Sequence, residues 1–101
     1  GKQILPVQVI SDIKKGGSQE AFAKAGYKDL KNWSYKNMWW ITHNHDDAFA
    51  ARGVHGQTIY IDPTAEMVIV RFASHPIAGN AANDGNSLPA YQAVADYLKI
   101  Y

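Results

Sequence analysis

The segment from residue 57 to residue 74 constrains the fold most, because it holds two β-prone runs joined by a four-residue turn. The first run, QTIYID, alternates polar and apolar residues as a strand with one buried face does. The sequence PTAE follows and is typical of a turn. The second run, MVIVRFAS, is almost continuously apolar, which predicts a strand buried on both faces. So short a connection favours antiparallel neighbours, and the segment therefore predicts an antiparallel sheet.

Two short helices are predicted before the sheet. Residues 6–15, PVQVISDIKK, begin with a proline that suits a first helical turn, and Gly16 and Gly17 follow as a stop. Ser18 is then a candidate N-cap for a second helix that ends at Gly26.

The rest of the chain completes an outline of helix, helix, four strands and helix. Residues 33–42, WSYKNMWWIT, are aromatic and predict one strand, and residues 48–54, AFAARGV, predict a weaker one. Residues 75–87 are rich in Gly, Asn and Ala and predict a long loop, a type that is usually functional or disordered. A last helix is expected after Ser87 as its N-cap. The fold class is therefore α+β, with an antiparallel sheet of three to four strands flanked by N- and C-terminal helices.

Length and charge exclude several classes of protein. The chain has 101 residues and is expected to form a single partial domain, residues 1–101. Its 10 basic and 9 acidic residues are spread along the chain, which argues against nucleic acid as a partner. It has no cysteine for disulfides or thiolate metal sites, and no apolar run approaches the ~20 residues of a membrane span. The first residue is not methionine, so a processed start, an expression scar and a piece of a longer protein are all compatible with the sequence, and the compartment stays open.

The tetrapeptide SDIK, residues 11–14, matches the S-x-x-K pattern of a serine activated by a lysine one turn later. That chemistry needs Ser11 and Lys14 on a buried face. Ile10 and Ile13 are better candidates for the buried face, so we interpret SDIK as a solvated helix end.

The sequence THNHDD contains a candidate metal site. His43, His45 and Asp47 fit part of the H-x-H-x-D motif of the metallo-β-lactamase fold, and alternate residues of an extended chain point the same way. Ala48, however, stands where that motif has another histidine. A polar turn is therefore the main interpretation and no metal is expected, while a metal-dependent hydrolase remains an alternative hypothesis.

The stretch RGVHGQTIYIDP places a histidine, His55, between two glycines at the start of a strand. Glycine inside a strand usually marks a bulge or a close approach by another group. From the residues alone, a β-bulge before a hairpin is the simpler interpretation of Gly53 and Gly56.

The succession WSYKNMWW, FAARGVHGQTIYIDP, MVIVRFASHP, a Gly/Asn-rich loop and a last helix resembles one family. It is similar to the C-terminal region of the serine hydrolases of the β-lactamase and penicillin-binding-protein fold, and most of all to the esterase and amidase branch that includes 6-aminohexanoate-dimer hydrolase. The resemblance covers residues 4–101, and its most specific part is ARGVHGQTIYIDP.

The resemblance implies an active-site role for the strand at residues 48–54. Its end lacks the Lys-Thr-Gly of many β-lactamases and instead has the Gly-apolar-His-Gly-Gln of this branch. By position, the backbone N–H of Val54 would be one of two oxyanion-hole donors, and the other would be the N–H of a nucleophilic serine upstream. Gly53 and Gly56 would free that N–H and let substrate approach. His55 would lie beside the site, either orienting a group by hydrogen bonding or simply packing.

The resemblance also implies what this chain lacks. The nucleophile, its lysine and the tyrosine base of such hydrolases all precede the matched region, and Tyr35 of SYKN is interpreted as an ordinary strand residue. The expected partners are therefore the missing N-terminal portion of the same protein and a small ester or amide substrate, without a cofactor. The loop at residues 75–87 would form a rim of the pocket, with His75 and Ile77 as substrate-contact candidates. The chain alone should be inactive.

Two further expectations stand beside this hypothesis. The aromatic side chains of residues 33–40 exceed what a small sheet can cover, so some should pack on the missing portion. The alternative from another class is a stand-alone α+β module that binds a ligand or partner through the loop at residues 75–87 and the aromatic strand.

Overall fold

The computed structural model describes residues 1–100 and contains a five-stranded antiparallel sheet with helices at both ends of the chain. The strands lie in the sheet in the order in which they occur in the chain. The α+β class is thus confirmed, with five strands where three to four were predicted. The elements are α1 (Val7–Lys15), α2 (Gln19–Lys24), β1 (Ser34–Lys36), β2 (Trp39–Ile41), β3 (Phe49–Arg52), a 3-10 turn (Val54–Gly56), β4 (Thr58–Asp62), β5 (Met67–Arg71) and α3 (Ala81–Ile100).

The additional strand arises because residues 33–42 form a hairpin and not the single strand that was predicted. Lys36 pairs with Trp39, so the loop has only two residues. These two, Asn37 and Met38, have φ values of 53° and 69°, as both central residues of a type I′ turn must. Asparagine tolerates that conformation, but methionine gives no turn signal, and the turn was therefore hidden within an aromatic run.

The predicted loop at residues 75–87 is wrong in its second half, because α3 begins at Ala81. The Asn80 carbonyl accepts hydrogen bonds from the N–H groups of Asn83 and Asp84 and opens the helix. Ser87 is not an N-cap but lies inside α3, where its hydroxyl accepts a hydrogen bond from Arg71 Nη1 at 2.7 Å. Tertiary contacts therefore override a composition that disfavours helix.

The two faces of the sheet are covered by different helices. On one face Ala50, Tyr60 and Met67 form a core with Tyr91 and Ala95 of α3. On the other face Ile13 of α1 packs against two sheet residues, Ile41 and Phe49. Within residues 1–100, no helix combines the length and the apolar character that crossing a bilayer would need.

The second face is bare beside β4 and β5. Val68 and Val70 are 61% and 57% exposed, and Phe72, just after β5, is 88% exposed. Ile59 pairs with Val70 and is 40% exposed. Burial of β5 on both faces was predicted and is not found, because β5 is an edge strand with α3 on one side only. We call the side chains of Ile59, Val68, Val70 and Phe72 the apolar row.

Candidate active site

A cleft of about 410 Å³ opens where the end of β3 meets the segment after α2 and the start of α3. This volume lies within the range of small-ligand sites. Aromatic and apolar groups line most of it, and three charged side chains reach it. The lining residues are Gly26, Tyr27, Asp29, Leu30, Trp40, Arg52, Gly53, Val54, Ala78, Gly79, Asn80, Ala81 and Asp84.

Val54 occupies the point where the chain leaves the sheet. Gly53 still belongs to the ladder, because its N–H donates to the Gln57 carbonyl at 2.8 Å. Val54 then starts the 3-10 turn, and the first N–H groups of a helical turn have no partner within it. Among residues 1–100, the Val54 N–H has no hydrogen-bond acceptor, and its residue is 57% exposed at the cleft. The ladder therefore leaves one backbone donor free beside the cavity.

His55 is tied to the segment between β5 and α3. Its N–H donates to the Ala78 carbonyl at 3.0 Å, and its Nδ1 donates to the His75 carbonyl at 2.6 Å. It has a φ of 60°, in the left-handed region. The histidine is half-buried behind the turn and is absent from the cleft lining. These contacts fit a residue that anchors the turn.

The fold constrains the two glycines at the turn, Gly53 and Gly56, to different degrees. Gly56 has a φ of 91°, and a Cβ on it would lie 2.4 Å from His75 Cδ2. Gly53 is extended with a φ of −101°, and its added Cβ would come no closer than 3.3 Å to Gln57. Glycine is thus required at Gly56 by backbone and by packing, whereas at Gly53 the absence of a side chain leaves the approach to the next N–H open.

The two predicted substrate contacts stand away from the cleft. The His75 Nε2 accepts from Arg71 Nη2 at 2.5 Å, which holds the ring against β5. Ile77 is 62% exposed. Neither residue is among those that line the cleft within the described chain, and the rim is formed instead by the neighbouring residues 78–81. Substrate contact by His75 and Ile77 remains a prediction.

A largely buried ion pair contributes to the lining of the cleft. Arg52 Nη2 donates to both carboxylate oxygens of Asp84 at 2.8 Å, and the two side chains are 6% and 19% exposed. The guanidinium carbon also lies 5.5 Å and 4.9 Å from the ring centroids of Trp33 and Trp40. The pair joins β3 to the first turn of α3. Neither residue was predicted as part of a site; an arginine that ends an otherwise apolar strand was the available signal.

The candidate metal ligands are not brought together. His43 Nε2 lies 2.7 Å from the hydroxyl of buried Ser34, and His45 is 76% exposed. Asp47 makes a 3.9 Å ion pair with Lys14 of the SDIK segment. The extended geometry assumed for THNHDD is wrong, because His43 and Asp47 have φ values of 55° and 58°. Residues 1–100 contain no group of three or more His, Asp or Glu arranged to hold a metal.

The same polar segment instead supplies a buried carboxylate pair. Asp46 and Asp62 are 1% and 0% exposed and face each other. Lys99 Nζ lies 2.7 Å from Asp46 Oδ2, and this hydrogen bond holds the pKa of Asp46 below its usual value. Burial, together with the Asp46 charge, raises the pKa of Asp62. Burial also raises the pKa of the adjacent Tyr60 to about 12. This cluster fixes the end of α3 to the sheet.

The aromatic residues are covered unequally. Tyr35 lies in β1 as predicted and is 49% exposed. Trp33 is buried, while Trp40 makes edge contacts with Phe22 and Tyr27 at 5.7 Å and 5.1 Å. The helix α2 therefore covers part of the aromatic surface that the sheet cannot.

Comparison with known proteins points to one kind of hydrolase. The 6-aminohexanoate-dimer hydrolase of Paenarthrobacter ureafaciens is 31% identical over 77 residues, which is 75% of this chain and 20% of that protein. A solved structure from Bacillus anthracis, provisionally named 6-aminohexanoate-dimer hydrolase, is 42% identical with a TM-score of 0.69 over 98% of this chain and 24% of that one. The chain thus spans about a fifth to a quarter of these relatives. No protein-family profile matches it.

Proposed function

This chain belongs to the 6-aminohexanoate-dimer hydrolase-like branch of the β-lactamase-fold family, and we propose that it supplies one wall of an active site that cleaves an ester or amide through an acyl-enzyme. In the complete hydrolase, the nucleophilic serine would come from the remaining portion, as the family resemblance implies. This chain would contribute the Val54 N–H as one of two donors to the oxyanion. We use "complete hydrolase" for this chain joined to the portion that its relatives carry beyond it.

The free N–H of Val54 carries the proposal. Acyl transfer develops negative charge on the carbonyl oxygen, and pre-positioned N–H donors stabilise it. A donor already bonded within a sheet cannot serve, but Val54 N–H has no acceptor among the described residues and borders the cleft. Gly53, which precedes it, carries no side chain to shield the nitrogen. His55 would support the turn from behind through its hydrogen bonds to His75, and Gly56 by leaving room for the His75 ring.

The exposed apolar row is an argument that a further portion of the same protein covers it. Val68, Val70 and Phe72 present an exposed apolar strip along the edge strand. Soluble proteins rarely leave such a strip bare, and three quarters or more of each relative lies outside the matched region. We infer that the remaining portion of the hydrolase covers the apolar row and completes the cleft, which is why the separate binding module is not proposed.

Proline at position 54 tests the donor with little disturbance of the fold. Val54→Pro removes an N–H that makes no hydrogen bond within residues 1–100 and replaces an exposed side chain. Proline suits the first position of a helical turn, and Gly53 already has the extended ψ of −177° that a residue before proline adopts. We expect kcat of the complete hydrolase on a p-nitrophenyl ester to fall by about 10²- to 10³-fold, with KM little changed.

The matched control is Val54→Ala, which shortens the side chain and keeps the N–H. It should retain kcat within about threefold, because alanine keeps the backbone N–H and the Val54 side chain, 57% exposed, contributes little packing. If Val54→Pro is folded and turns over the ester as fast as Val54→Ala, the N–H stabilises no oxyanion and the proposed function is wrong.

A further inference from the structure

The side chain of Asn80 spans the turn that carries Val54. Its Nδ2 donates to the Gly53 carbonyl at 2.9 Å, and its Oδ1 accepts from the Gly56 N–H at 3.1 Å. These two backbone groups lie immediately before Val54 and just after His55. One amide side chain therefore bridges the two ends of the turn.

This use of an asparagine is unusual for its position. Asn80 directly precedes α3, where an asparagine side chain commonly accepts from the N–H groups of its own helix. Here its carbonyl opens α3, accepting from Asn83 and Asp84, while its side chain turns to the neighbouring segment. The residue that opens α3 is thus hydrogen-bonded to both ends of the turn that follows β3.

The amide of asparagine satisfies both ends of this bridge. The Gly53 carbonyl requires a donor and the Gly56 N–H requires an acceptor, and asparagine offers both. Aspartate has the same shape but only acceptors when ionised, so it would oppose the Gly53 carbonyl oxygen. Alanine would leave the N–H of buried Gly56 without its partner.

We propose that Asn80 is a positioning residue that holds the Val54 N–H at the place where the oxyanion forms. This inference rests on the proposed function, since it acts through the donor assigned there. Three other hydrogen bonds tie the turn to residues 75–78: the His55 N–H to the Ala78 carbonyl, the His55 ring to the His75 carbonyl, and the His75 N–H to the His55 carbonyl. All three end on His55, beyond Val54, whereas Asn80 alone, among the described residues, ties the Gly53 peptide unit, which contains the Val54 nitrogen, to the start of α3.

The test measures kcat and KM of the complete hydrolase on a p-nitrophenyl ester for Asn80→Ala in two backgrounds. In the wild-type background we expect kcat to fall about 10- to 100-fold with KM within about threefold, because a small displacement of a donor weakens transition-state binding. In the Val54→Pro background there is no N–H left to position, so adding Asn80→Ala should change kcat less than about twofold.

A residue with a purely structural role would behave differently. It would cost the same factor in both backgrounds, and that result overturns the inference about Asn80 without touching the function of Val54. If Val54→Pro alone leaves kcat unchanged, the proposed function fails and the positioning role fails with it. The two failures are therefore distinguishable.

Two further variants serve as controls for this test. Asn80→Asp keeps the size of the side chain and should lower kcat at least as much as Asn80→Ala, so it replaces alanine if the latter does not fold. Asn86→Ala makes the same truncation at an exposed asparagine of α3 and should leave kcat within about twofold. An Asn80→Asp enzyme with wild-type kcat would also overturn the inference.

Discussion

Neutralising Asp84 should release the start of α3 from β3. Arg52 is 6% exposed, and Asp84 provides its two charged hydrogen bonds at 2.8 Å. Two unit charges about 4 Å apart attract by roughly 4 kcal/mol at an effective dielectric constant of 20. Removing one partner of a buried pair costs about 3–5 kcal/mol, because the other charge stays buried. Asp84 is 19% exposed and asparagine keeps one acceptor, so we expect Asp84→Asn to cost about 3 kcal/mol.

The assay is native-state amide hydrogen exchange on the complete hydrolase, read on peptides covering β3 and the first turns of α3. Exchange reports the free energy of local opening, which is the quantity that the ion pair should change. Tryptophan fluorescence gives a second local signal, because the rings of Trp33 and Trp40 lie 5.5 Å and 4.9 Å from the Arg52 guanidinium. The matched control is Asp29→Asn, an exposed carboxylate at the same cleft, with an expected cost under about 0.5 kcal/mol.

A double-mutant cycle separates the pair from its surroundings. Arg52→Met keeps an apolar side chain between the tryptophans and removes the charge. Arg52→Met combined with Asp84→Asn should cost at least about 2 kcal/mol less than the sum of the single changes, since contacting partners are not additive. Additive costs, or an Asp84→Asn penalty below about 1 kcal/mol, would refute the description of this pair as a buried, mutually dependent contact.

The remaining predictions concern the carboxylate pair and the turn. Because the native pKa of Asp62 is raised, its contribution to stability is fully present below the unfolded pKa of about 3.9 and is lost as pH rises through the native pKa. Asp62→Asn removes this loss, so its melting temperature relative to wild type should increase from pH 4 to pH 7; a pH-independent difference would contradict a raised pKa of Asp62. Gly56→Ala puts a Cβ 2.4 Å from His75 at a φ of 91° and should destabilise the turn by about 1–3 kcal/mol in thermal melts, whereas Gly85→Ala in α3, whose added Cβ meets nothing within 4 Å, should not destabilise the protein. Equal melting temperatures for the two alanine variants would show that Gly56 is not constrained.

The candidate site was predictable from the sequence only in part. The pattern Gly-Val-His-Gly-Gln pointed to the Val54 amide only through its resemblance to a hydrolase family, because from the residues alone a β-bulge was the simpler interpretation, and the role of that amide as a donor stays a prediction. The side chains that position this turn could not be predicted from the sequence. Asn80 sat within a stretch interpreted as loop, and nothing in the order of residues links it to Gly53, 27 positions earlier. Such pairings depend on which segments the sheet brings side by side.

Local sequence patterns therefore determined which helices and strands form. Tertiary contacts determined where these elements begin and end and which of their groups remain free. Alternating apolar residues sufficed for β4, an apolar run after a turn sufficed for β5, and proline, glycine and N-cap residues sufficed for α1 and α2, because each of these signals acts within a few residues. The Asn37–Met38 turn and the early start of α3 were set by pairing of Lys36 with Trp39 and by contacts of Arg52 and Arg71 with Asp84 and Ser87. The same long-range packing leaves the Val54 N–H free at a cleft. A free donor is defined by the absence of a neighbour, and only the folded arrangement determines which neighbours a backbone group has.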